Sequence, residues 1–150
     1  MRLFGHPVHA MLVAFPLGLL LLVPLWDALA IRGVLPEAAS IAHYSELAGL
    51  VAGVLAALFG IADLVRHAGS PELLKTGLRH AFLAALAISV FGLAFALRER
   101  TAPPGLSVFA LDALGAACLA AAGWFGAHLV FHHGVEVDAV SNSERASAGQ

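Results

Sequence analysis

Three observations predict an all-α membrane protein folded as a four-helix transmembrane bundle with up-down-up-down topology: four long apolar stretches, few charges, and short polar connections. Of 150 residues, 60% are hydrophobic and only 12% charged, whereas a soluble domain is about a quarter charged. Mean hydropathy is +0.88. At 1.5 Å per helical residue, each stretch is long enough to cross a hydrocarbon core of about 30 Å. The first partner the chain predicts is therefore a lipid bilayer. Residues 1–137 read as a single four-span domain, with helices at about 7–32, 36–67, 71–98 and 107–133. The remaining 138–150, rich in Ser, Asn, Ala, Gly and charges, read as a disordered polar tail.

Span 1 is uncharged from Leu3 through Trp26, too long for the core of a signal peptide. Ala28-Leu29-Ala30 has the form of a cleavage site, but Asp27 beside it and the apolar spans that follow oppose that reading. Pro7 suits a first helical turn, and Pro16 and Pro24 predict a kink inside the span. Arg32-Gly33 ends it, with a cation in the last turn and a glycine able to turn left-handed. Pro36-Glu37 opens span 2, whose uncharged centre runs from Leu47 to Ala62 between Glu46 and Asp63. Ser70-Pro71-Glu72 is a cap, first-turn proline and first-turn acid, and starts span 3. That span is uncharged from Ala81 through Leu97 and marked at its exit by Arg98-Glu99-Arg100. After a loop at Thr101–Gly105, Ser107 is placed to cap span 4, which runs to about His133.

Short connections make successive helices antiparallel neighbours. Gly49-x-x-x-Gly53 and the small residues Gly115, Ala116, Ala120, Gly123 and Ala127 let backbones approach closely, either within the chain or at the seam of a homodimer. Both termini fall on one side. Arg2, Arg66, Lys75, Arg79 and Arg145 on that side outnumber Arg32, Arg98 and Arg100 opposite. This bias predicts cytoplasmic termini.

Composition also excludes functions. Net charge is −2, and no basic run tracks a phosphate backbone, so the chain is no nucleic-acid binder. Cys118 is the only cysteine, which rules out an internal disulfide and an iron–sulfur cluster and leaves it a small packing residue. No nucleophile elbow, phosphate loop or H-E-x-x-H string is present. An electron-transfer or binding protein is a better reading than a catalyst.

Histidine stands out, with eight against eight Lys and Arg combined. The topology gathers His6, His9, His67, His80, His128, His132 and His133 at the terminal side, leaving only His43 on the other. His6 and His9 are spaced i, i+3 and His128 and His132 i, i+4, so each pair shares a helix face. Asp63 precedes His67 by one turn and could orient its ring. A histidine at a membrane boundary is ordinarily an interfacial polar residue. His80 and His128 lie deeper, where an imidazole needs a partner. Histidines from several helices at one depth suit b-type haem, with His80 and His128 as the first axial pair and His9 as substitute. They also suit copper, zinc or iron held by His6, His9, His80 and His128 without a porphyrin. Gly123 and Gly126 would give a macrocycle room. At the opposite end Asp27, His43, Glu46 and Asp112 are secondary candidates, with helix-end structural roles as the ordinary reading.

Gly5-His6-Pro7-Val8-His9 followed by Phe15-Pro16-Leu17-Gly18 resembles the G-H-P-x-H-P and F-P-x-G signatures of a bacterial family of predicted four-span membrane proteins, a domain of unknown function. Gly126-Ala127-His128-Leu129-Val130-Phe131 and Gly134-Val135-Glu136-Val137 match its closing G-G-H-L-x-Y…G-V-x-V stretch. The resemblance covers roughly residues 5–138. Ala10, Ala127 and Phe131 depart from the family's proline, glycine and tyrosine, and no candidate ligand is lost. Some related chains are joined to Rieske-type or cytochrome c-type domains. The resemblance thus implies electron transfer at a membrane with such a redox partner, and it favours haem over a bare metal. The family motifs fall on His6, His9 and His128, and His80 matches a histidine near the start of span 3. Two further readings remain beside haem: metal binding or transport, and a non-catalytic subunit that docks a redox partner. Against transport, no inverted repeat or pair of broken helices is visible.

Overall fold

A computed structural model describes residues 2–3, 6–66 and 71–133, with side chains in 8–66 and 71–132. Two residue pairs, β1 (Arg2–Leu3) and β2 (His6–Pro7), form a minimal antiparallel ladder before the first helix. Five helices follow: α1 (Val8–Leu21), α2 (Val23–Ile31), α3 (Ala38–Arg66), α4 (Pro71–Leu97) and α5 (Leu106–His133). Together α1 and α2 make one span of 24 residues, and the other three helices give spans of 27 to 29 residues. Each is long enough to cross the hydrocarbon core. The segment 138–150 lies outside the described residues.

The break at Leu22 has a local cause. Pro24 has no N–H to donate to Leu20, and its ring crowds that carbonyl, so the helix restarts with Pro24 in the first turn of α2. Pro16 stays inside α1. Span 1 ends as its sequence predicts, with Gly33 at φ 65°. Span 4 starts two residues earlier than a Ser107 cap requires. Gly105 accepts from the Phe109 N–H, and Ser107 lies inside the first turn.

Large apolar side chains point outward: Phe15, Leu58, Val65, Phe82, Trp124 and Phe131 are all well exposed on the protein surface. The interior holds small residues against a few large ones, chiefly Leu20, Val23, Ala42, Ala87, Phe91 and Leu119. This inverts a soluble core for a physical reason. Lipid solvates Leu and Phe as well as protein does, so helix contact is won by close approach. A Cβ at Gly49 would fall 2.6 Å from Leu20 Cγ, and one at Gly115 would fall 2.8 Å from Phe91 Cδ2. The glycines predicted to allow close approach, Gly49 and Gly53, do so within the chain, against Leu20, Ile88 and Pro16.

These contacts reveal a repeat. Spans 1–2 and spans 3–4 are two hairpins with matched internal packing. Asp27 and Arg98 lie 71 residues apart, and His9/His80 and Leu20/Phe91 share that spacing. A second constant spacing relates Glu46/Asp112, Gly49/Gly115, Ala56/Ala122 and Gly60/Gly126. Equivalent residues meet each other at both ends, His9 with His80 and Asp27 with Arg98. Such self-contacts arise where a quasi-two-fold axis runs along the bundle. This is a parallel repeat, distinct from the inverted kind sought in the sequence.

Candidate functional site

At the end where span 1 begins, His9 and His80 face each other with ring centres 6.1 Å apart and planes at 82°. Each is held by the same device. His9 Nδ1 lies 2.8 Å from the Ala56 carbonyl and His80 Nδ1 lies 2.8 Å from the Ala122 carbonyl. In both cases the ring rests on a glycine one turn farther along. A Cβ on Gly60 would come within 2.8 Å of His9 Cε1, and one on Gly126 within 3.2 Å of His80 Cε1. A carbonyl can only accept, so Nδ1 carries the proton in both rings, and in the neutral imidazole Nε2 carries the lone pair. That is the tautomer in which a metal-ligating imidazole is fixed by an outer hydrogen bond.

His128 packs on His132 with ring centres 4.1 Å apart, as their i, i+4 spacing allows. His80, expected opposite His128, reaches instead to the α5 backbone and to His9. Gly126, expected to make room for a macrocycle, makes room for the His80 imidazole. Asp63 is buried on α3. His67 and the side chains of His6 and His133 lie outside the described residues. Arg79 caps this end over the Phe125 ring at 6.0 Å. Among the described residues, no group of three or more His, Cys, Asp or Glu is arranged to hold a metal ion.

The opposite end carries a second polar centre. Arg98, one residue beyond α4, turns into the bundle rather than marking its exit, and its side chain is 1% exposed. It donates from Nη1 and Nη2 to the two Asp27 carboxylate oxygens, both at 2.9 Å. Nη2 also donates to Asp112 Oδ2 at 2.7 Å. Nε lies 2.7 Å from Glu46 Oε2, an ion pair too bent for a hydrogen bond. Every span thus contributes one charged residue. Burial alone disfavours the Arg98 charge, but the hydrogen bonding of Arg98 to Asp27 and the fields of Glu46, Asp27 and Asp112 outweigh it. Its pKa therefore lies above the ordinary arginine value. His43 stands one turn before Glu46, half-buried, with its ring 4.8 Å from that of Phe95.

The acids at this end were legible as candidates from sequence, but Arg98 was not. It sits in a run of charges that reads as a helix exit. The available signal was three membrane-boundary acids at one depth, which need a cation, and the matched spacing that sets Arg98 opposite Asp27.

No curated protein and no solved structure matches this chain. The model of the family described as predicted membrane protein (DUF2231) matches residues 5–139, which span both polar centres, and the chain belongs to that family.

Proposed function

We propose that this membrane protein binds b-type haem between His9 and His80 and acts in electron transfer. The observation that carries this reading is the His9–His80 pair, two imidazoles from different spans with both Nδ1 atoms tied to carbonyls. A 6.1 Å separation of ring centres suits one metal centre between them at about 2 Å per metal–nitrogen bond. Two protein ligands suffice for a haem, because the porphyrin supplies the rest, whereas a structural zinc ion asks for four. When bound, haem supplies one-electron iron chemistry. The chain's own part is to fix the imidazole tautomers, orient the rings through Gly60 and Gly126, and exclude water with apolar helices.

The partner fitting this role is a Rieske-type or cytochrome c-type redox domain, and the location is the bacterial inner membrane. Arg66, Lys75 and Arg79 on the histidine side, against Arg32 and Arg100 opposite, support cytoplasmic termini. The burial of Arg98 strengthens that bias by removing it from the loop charges.

Protein purified in detergent from haem-replete cells should show a Soret band and reducible α and β bands. His9→Ala or His80→Ala should abolish them. A colourless preparation that stays colourless with added hemin overturns the proposal. Stoichiometric copper, zinc or iron without porphyrin would point to a bare-metal site.

A further inference from the structure

We propose that Glu46 and Asp112 form a proton-sharing carboxyl pair, a buried proton-binding site at the end of the bundle opposite the histidines. The inference does not depend on what the histidine end holds. Asp27, Glu46 and Asp112 are all 0% exposed. One guanidinium cannot balance three carboxylates. The bidentate Asp27–Arg98 pair cancels itself, and Glu46 and Asp112 then bring two negative charges to one remaining edge of the same arginine. Two uncompensated charges away from water are strongly disfavoured, and taking up a proton removes one of them.

Independent of charge, the hydrogen bonding is incomplete in a way that a proton repairs. Neither oxygen of the fully buried Glu46 receives a hydrogen bond, and Asp112 Oδ1 receives none. Yet Glu46 and Asp112 sit on adjacent nitrogens of one guanidinium, Glu46 Oε2 2.7 Å from Arg98 Nε and Asp112 Oδ2 2.7 Å from Nη2. Two carboxylates at that range repel, whereas a carboxylic acid and a carboxylate share a hydrogen bond. The repeat explains why they meet. Glu46 and Asp112 occupy equivalent positions in the two hairpins, so the quasi-two-fold axis sets them across from each other. A symmetric carboxyl dyad holding one proton is the known outcome of such an arrangement.

The charged groups around the pair are Asp27 from α2 and Arg98 from the loop after α4, with His43 one turn before Glu46 on α3. With one proton, the pair keeps a single negative charge toward Arg98 Nε and Nη2. Asp27 and His9 are 18 positions apart on span 1, so the proton site and the histidine pair stand roughly 27 Å apart along the helix axis. They lie toward opposite ends of the first span.

Infrared spectra of the detergent-purified full chain at neutral pH, in water and in deuterium oxide, test the proposal. The expected result is a carboxylic acid C=O band that shifts on deuteration, persists in Asp63→Asn, and is lost in Glu46→Gln and Asp112→Asn. Should either variant fail to fold, wild-type protein labelled with 13C-glutamate or 13C-aspartate assigns the band without substitution. A wild-type spectrum with no such band overturns the proposal. So does a band that disappears in Asp63→Asn, or one that moves with neither label.

Discussion

Arg98 shows how much one side chain can hold together in this protein. Its guanidinium meets carboxylates from three other helical segments, α2, α3 and α5, and each is buried. Arg98→Ala should therefore cost about 3–5 kcal/mol, because it strands buried carboxylates without their cation. The measurement is thermal or denaturant unfolding in detergent, and an unchanged midpoint would contradict the geometry. Arg98→Lys should recover little, since an ammonium cannot reproduce the bidentate fork on Asp27. Sequence reasoning reached the partners but not the arginine. Asp27, Glu46 and Asp112 sit at predictable depths, whereas Arg98 is assigned to a loop by its neighbours Glu99 and Arg100.

Between elements, the contacts that matter are small. His9 and His80 each lie on a glycine of the adjacent helix, so the helix face sets where the imidazole goes. Replacing either glycine should push its ring away. Gly60→Ala puts a Cβ 2.8 Å from His9, and Gly126→Ala puts one 3.2 Å from His80. Overpacking of this kind costs about 1–3 kcal/mol, and Gly60→Ala should be the more damaging of the two. Parallel unfolding curves and the amplitude of any haem band would rank them, and a larger effect at Gly126 would contradict the packing described. Helix content was largely legible at this scale. Apolar length gave the spans, Gly33 gave a stop, and Pro24 gave the break at Leu22. Ser107 misled because a cap residue one position inside the helix has the same local sequence as one at its edge.

At the scale of the whole molecule, two hairpins repeat around an axis that passes through both polar centres. If Asp27 and Arg98 are equivalent positions, exchanging them should restore much of what either single change destroys. Asp27→Arg alone places a second cation in the site, and Arg98→Asp alone leaves four acids without one. The double exchange should regain at least half of the stability lost by the worse single variant, read as the unfolding midpoint in detergent. Strict additivity of the two losses would show that the positions are not interchangeable. The repeat was present in the sequence as matched spacings of His, Gly, Ala and acid. The intervening positions mask it, because most of them face lipid, where any apolar residue serves.

What the sequence determined by itself was depth. Hydropathy and a rise of 1.5 Å per residue fix four spans and collect His9, His80 and His128 at one end and Asp27, Glu46 and Asp112 at the other. The rotation of each helix about its own axis was decided only by tertiary structure. In water, the apolar face of a helix announces itself. In a bilayer, apolar residues are at home on both faces, so rotation is set by pairwise contacts between distant residues. Gly49 against Leu20, Gly115 against Phe91 and Arg98 against Asp27 are such contacts. They turn His80 toward His9, and they bring Arg98 inside.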